Sequence, residues 1–302
     1  VANHIYWMAR YLERAENTAR LIQVNTHLLL DLPKNVTLGW EPIVDMLSFR
    51  DTFYERYSEP DEKSVIRFMV TDTTNPGSII NSLASARENA RIVREIIPSE
   101  AWELINQLHL QAKDDGQSVL TRRHRFNCLN RFITGNQTIT GLVGGTMNRD
   151  KAYAFLRLGR HLERADMTTR IIDVRSASLL PGLADDNATF ENIQWMGVLK
   201  SLTAYQMYRQ EMRLRIQRAD ILEFLLQRDT FPRSLSHSLG QIVKCVAELP
   251  KPEKVIESVN NVKKELQSLD TKTLKQEKLH DVMDEIQVHL LDVHNTIDQT
   301  YF

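Results

Sequence analysis

Near the start of the chain, Ile5, Met8, Tyr11, Leu12, Ala15, Ala19 and Ile22 recur at steps of three and four residues. That spacing draws one apolar stripe along a helix over 3–30. Arg10, Glu13, Arg14, Asn17 and Arg20 fall on the opposite side, where i, i+3 and i, i+4 neighbours can pair. The same periodicity, broken by short polar or proline-containing stretches, predicts six helices in each half. They run 3–30, 40–57, 61–71, 76–97, 99–113 and 117–147, then 151–179, 190–209, 211–228, 232–249, 253–268 and 271–300. Strand-like alternation is hard to find. Asp31-Leu32-Pro33 and Pro181-Gly182 stop the first helix of each half, while Asn75-Pro76 offers a capping side chain and a proline suited to a first turn. Connections are short, 35–39 and 182–188 being among the longer, which favours antiparallel neighbours and a bundle.

This pattern is written twice. Arg10-Tyr11-Leu12-Glu13-Arg14-Ala15-Glu16 returns 150 positions later as Arg160-His161-Leu162-Glu163-Arg164-Ala165-Asp166, and the match continues through Thr18/Thr168, Arg20/Arg170, Ile22/Ile172 and Val24/Val174. Trp40 then matches Trp195, with Ile43/Val198, Val44/Leu199 and Leu47/Leu202 behind it. Phe68/Phe224, Thr74/Thr230, Pro76/Pro232, Ser78/Ser234, Ser82/Ser238 and Leu83/Leu239 follow, 156 apart. Matches in the same order with a slowly drifting offset indicate an internal duplication. The expected fold is all-α: two six-helix halves, 1–150 and 151–302, packed as one unit about a pseudo-twofold axis in the manner of an isologous dimer.

Composition narrows the class. With 42% hydrophobic and 25% charged residues but only 11 Gly and 9 Pro, the chain can bury a large core and prefers helix. Cys128 and Cys245 stand far apart with no C-x-x-C spacing, which reads as two small buried residues in a reducing compartment. No apolar run reaches the roughly 18 to 20 residues of a membrane span and the first residues do not resemble a signal peptide, so a cytoplasmic location without membrane contact is expected. A net charge of −1 gives no global attraction to nucleic acid; any anion site must be local.

Arg10, Glu13, Arg14 and Arg20 recur as Arg160, Glu163, Arg164 and Arg170, although idle surface charges drift apart after duplication. Two readings account for this. One is a set of partly buried Glu–Arg networks where the halves meet. The other is a guanidinium-lined cleft for carboxylate or phosphate groups. Glu13/Arg14 and Glu163/Arg164 fit the first better. Asymmetry points elsewhere: Arg87, Glu88, Asn89 and Arg91 have Val243, Lys244, Cys245 and Ala247 at the shifted positions, so a single ligand clamp is placed where these four face the polar side of the first helix. The run Arg122-Arg123-His124-Arg125 is a weak phosphate or RNA signal against a solvated helix start. Gly135, Gly141, Gly144 and Gly145 lack a phosphate-loop arrangement and are assigned to close helix packing. Glu277 and His280 have metal-ligand spacing on a helix, but no second copy exists, so neither a metal nor a cofactor is expected. No familiar nucleophile arrangement is present.

Tyr6-Trp7-Met8-Ala9-Arg10-Tyr11-Leu12-Glu13-Arg14-Ala15-Glu16-Asn17, together with Gly159-Arg160-His161-Leu162-Glu163-Arg164-Ala165-Asp166, resembles the bacterial alpha-E family, named for an all-helical domain with an "ER" motif. Ala86-Arg87-Glu88-Asn89-Ala90-Arg91, Glu100-x-Trp102 and Phe231-Pro232-Arg233-Ser234 also resemble its patterns, so the resemblance spans the chain. It implies no catalytic residues. Its members stand beside, or fused to, a permuted ATP-grasp ligase and near transglutaminase-like peptidases. The resemblance therefore implies an accessory partner of ATP-dependent peptide or amide ligation that holds a peptide or acidic substrate. The alternatives are an enzyme acting on peptide or amino-acid conjugates in an Arg/Glu-lined cleft and, less favoured at this net charge, an RNA-binding protein.

Overall fold

A computed structural model describes residues 1–31, 39–45, 49–177, 187–212 and 216–302, among which there are fourteen α-helices and no strand. Before the mid-chain turn lie α1 (Ala2–Asp31), α2 (Glu41–Asp45), α3 (Arg50–Tyr54), α4 (Glu62–Val70), α5 (Ile79–Ile92), α6 (Ser99–Asp115) and α7 (Arg122–Thr146). After it come α8 (Lys151–Ala177), α9 (Asn187–Ser201), α10 (Tyr205–Met212), α11 (Arg218–Leu222), α12 (Leu235–Ala247), α13 (Glu253–Ser268) and α14 (Gln276–Tyr301).

Helices α1 and α8 lie against each other at the centre. α1 also packs on α5 and α7, and α8 on α12 and α14; α6 joins α5 to α7 as α13 joins α12 to α14. One continuous apolar cluster fills the interior, including Tyr6, Phe53, Phe68, Phe132, Trp195 and Phe224. Each such fully buried apolar side chain stabilises the fold by roughly 1.5–3 kcal/mol. Because α1 is enclosed by neighbours, its polar side is not a solvated face: Arg10, Glu13, Glu16, Asn17 and Arg20 are all buried with Ile5, Met8, Ala15, Ala19 and Ile22.

Local signals explain where helices begin and break. Ser78 and Ser234 cap α5 and α12, each hydroxyl accepting a hydrogen bond from a backbone N–H three residues on, at Asn81 and His237. Asn75 and Pro76 therefore do not start α5. Asn75 instead holds the preceding turn, its Oδ1 accepting from Gly77 N–H and its Nδ2 donating to the Phe68 carbonyl. The predicted helix 40–57 is α2 and α3, and 190–209 is divided into α9 and α10 at Thr203, whose φ is 55°. The predicted helix 211–228 contributes α11 followed by one wide turn over 223–227. Leu32, Pro33, Leu47, Pro181 and Gly182 lie outside the described residues, as does most of the two longer connections. No described helix is long and apolar enough to cross a membrane.

Candidate functional site

At Gly159 the backbones of α1 and α8 touch: a Cβ there would sit 2.2 Å from the Tyr6 carbonyl oxygen. This approach carries both repeated motifs into the interior, where their charges must find partners. They find them in each other. Arg164 clamps Glu13 in bidentate fashion, with Nε and Nη2 donating at 2.8 and 2.9 Å. Reciprocally, Arg14 donates to both oxygens of Glu163 at 2.5 and 3.1 Å, and Arg10 Nε adds a bond of 2.7 Å. Glu163 has no solvent exposure and Glu13 only 3%. The arginines outweigh the burial cost and hold both carboxyls ionised, Glu163 down to about 2 and Glu13 still lower.

Around this reciprocal centre the two sides differ. On the Glu163 side, Arg10 Nη1 donates to the Tyr6 hydroxyl, which is bonded to His294 Nδ1 at 2.8 Å. Burial pushes the Tyr6 phenol up to about 12, so it stays protonated. On the Glu13 side, Arg233 from the turn before α12 donates to Glu13, Asn17 and Glu16, and Arg20 also donates to Glu16. Arg170 closes onto Asp166 at 2.8 Å. Arg160 has no hydrogen bond or ion pair with any described residue and borders a crevice shared with Glu13, Glu16, Asn136 and Thr140. Burial, then repulsion from Arg164, lowers its affinity for its proton, yet a guanidinium keeps its charge at any physiological pH.

Glu13 and Glu163 stay ionised at physiological pH. Carboxylates with strongly depressed pKa values cannot act as acids or bases near neutrality. Burial also keeps both cysteines as thiols, raising Cys245 to about 11 and Cys128 above its ordinary value. Arginines outnumber carboxylates here, with Arg10, Arg14, Arg20, Arg160, Arg164 and Arg233 set around Glu13, Glu16 and Glu163, an arrangement suited to an added anion.

The other residues selected from sequence lie apart from this network. Arg87 donates to Asn106 on α6 and stacks over Trp102, while Glu88 and Arg91 pair on the surface at about half exposure. Only Asn89 bonds to α1, through His4 at 2.9 Å. No hydrogen bond or ion pair among the described residues joins the four to Arg10, Glu13 or Arg14. Arg122 and Arg125 both close on Glu62 beside the stacked rings of His27 and Phe126. Of the four glycines, only Gly135 is explained by packing, against Leu108; Gly141, Gly144 and Gly145 face open space on α7. Glu277 is not brought to a metal-like cluster, but His280 is: its Nδ1 bonds Asp173 at 2.7 Å, and Asp284 completes a group whose ligand atoms lie within 4.8 Å. That trio could offer one imidazole and two carboxylates to a cation; with its third member on α8, it has no spacing signature. Arg233, Tyr6, His294 and Asn136 also escaped selection, since each lies outside the repeated segments 10–16 and 160–166.

Comparison with known proteins adds the family. The Alpha-E model, described as a predicted alpha-helical domain with a conserved ER motif, matches residues 1–302. An uncharacterised protein of Mycobacterium bovis and two of Mycobacterium tuberculosis are each 22% identical over 284 residues, covering 86% of this chain. The match spans only 31% of the length of each of those relatives. No solved structure matches.

Proposed function

The chain belongs to the Alpha-E family, and from that premise we propose that it is a helical accessory partner of an ATP-grasp-type peptide or amide ligase, holding the acidic group of a peptide substrate against its buried arginines. The observation that carries this reading is the arginine excess around Arg160, beside the carboxylates Glu13 and Glu163 that neighbouring arginines hold ionised. The mycobacterial relatives support a modular role, because the matching region is under a third of each of them. The proposal includes the duplication: the reciprocal pairs Glu13–Arg164 and Glu163–Arg14 are what a twofold relation between 1–150 and 151–302 requires.

Co-purification with an ATP-grasp ligase encoded beside the chain, followed by ATP turnover with glutamyl peptides, tests the reading. A stable complex is expected, with peptide-dependent turnover falling about tenfold or more when the chain is omitted. Absence of a complex, or ligation by the chain alone, overturns it.

A further inference from the structure

Where the last turns of α8 meet the first turns of α14, three metal-ligating side chains converge. His280 Nδ1 is bonded to Asp173 Oδ1 at 2.7 Å, and Asp284 completes a group whose ligand atoms all lie within 4.8 Å of one another. His280 and Asp284 stand four residues apart and so share one face of α14, while Asp173 comes from α8. Asp173 is partly buried; His280 and Asp284 lie at the surface. Arg170, one turn before Asp173, closes onto Asp166, and Asp281 adds another negative charge close enough to act on the imidazole.

The register of the repeat sets this group apart. α7 and α14 run at an offset of 154, with the buried pairs Leu129/Met283, Phe132/Ile286, Ile139/Val293 and Val143/Ile297. Gln23 stands 150 positions before Asp173, and Phe126 and Asn130 stand 154 before His280 and Asp284. In the first half Gln23 and Phe126 line one cavity, with His27 stacked on the Phe126 ring. An amide, a phenyl ring and an amide there are thus answered in the second half by a carboxylate, an imidazole and a carboxylate. All three differences lead from neutral side chains to the ligand types that hold a divalent ion. Two carboxylates this close repel each other, and a proton on the imidazole answers only one of them; a divalent ion answers both. Because one ligand is an imidazole nitrogen, the set suits zinc and its first-row neighbours better than magnesium or calcium, which take oxygen.

We propose that Asp173, His280 and Asp284 bind one first-row divalent transition-metal ion between α8 and α14. This goes beyond the substrate-holding reading and does not depend on it. An ion seated between His280 Nδ1 and Asp173 Oδ1 takes the place of the proton they share, which passes to solvent. Tetrahedral binding sets neighbouring ligand atoms about 3.3 Å apart, so rotations of the exposed His280 and Asp284 side chains close the site and water fills the remaining position. Titration of the tag-free chain with Zn²⁺, Mg²⁺ and Ca²⁺, followed by calorimetry and by thermal unfolding, is the experiment. Zn²⁺ binds once per chain and raises the unfolding temperature, while Mg²⁺ and Ca²⁺ bind about tenfold or more weakly. His280→Ala and Asp284→Asn each weaken Zn²⁺ binding by at least the roughly tenfold that loss of an outer-shell partner costs, and both changes fall on surface side chains that the fold tolerates. His289→Ala is the control: His289 makes the same kind of pair with Glu265 at 2.7 Å on the same helix, but no third ligand joins it among the described residues. If the wild type binds no Zn²⁺, if His289→Ala weakens binding as much as His280→Ala does, or if Mg²⁺ binds as tightly as Zn²⁺, the proposal is overturned.

Discussion

Glu163 shows how much can rest on one buried carboxylate. Removing it leaves Arg10 and Arg14 without their carboxylate in the interior, a defect that costs about 3–5 kcal/mol when a buried pair is broken. Glu163→Leu is therefore expected to lower the denaturation free energy by that amount, and adding Arg14→Leu to recover part of it, as chemical denaturation of both variants will read. Acid acts on the same groups in two stages. His161 is buried and held neutral, well below its ordinary pKa, by burial first and neighbouring arginines second. The unfolded chain takes up that proton near pH 6.5 while the folded chain does not, so stability falls as pH drops below 6.5. Below about 4.5 the unfolded carboxylates begin to protonate while Glu163 does so only near 2, and the remaining network stability is lost through that window. Denaturation midpoints from pH 7 to 3 should show both steps, with His161→Phe shrinking the first and sparing the second.

Between elements, the distance separating α1 from α8 is set by what Gly159 lacks. A methyl group there meets the backbone oxygen of Tyr6, which cannot rotate away, so Gly159→Ala must part the two central helices. A loss of about 1–3 kcal/mol or more is expected, whereas Gly144→Ala or Gly145→Ala, in open space on a helix, should gain about 0.5–1 kcal/mol each; thermal unfolding of the three variants measures the contrast. The helices themselves were legible in the sequence because apolar spacing and Ser caps act locally. The burial of Glu13 and the partial burial of Arg14 were legible only through their repetition, since on α1 alone they look like a solvated face. Arg233, Asn136 and Tyr6 were not legible as site residues: their roles depend on helices brought together from more than 100 positions away, and no local pattern encodes that meeting. The break within the predicted helix 190–209 was missed because Thr203 takes a positive φ without glycine's signature.

For the molecule as a whole, the ion pairs of Glu13, Arg14, Glu163 and Arg164 all cross from residues before 150 to residues after it. Residues 1–150 alone would hold Arg10, Glu13 and Arg14 without Glu163 or Arg164, and the second half would be stranded in the mirror sense. Neither is expected to fold as a monomer, which circular dichroism and sedimentation of each fragment would decide. The only covalent link between them near this network is the turn at 147–150, whose last three residues are exposed. Cut there and supplied together, the two pieces still carry complementary keys, glutamate to arginine in both directions, and should reconstitute the intact fold by fragment complementation. The motif then works as a password exchanged between strangers: a change to Glu13 is answered 151 positions away at Arg164, so drift in one half is licensed only by a matching change in the other.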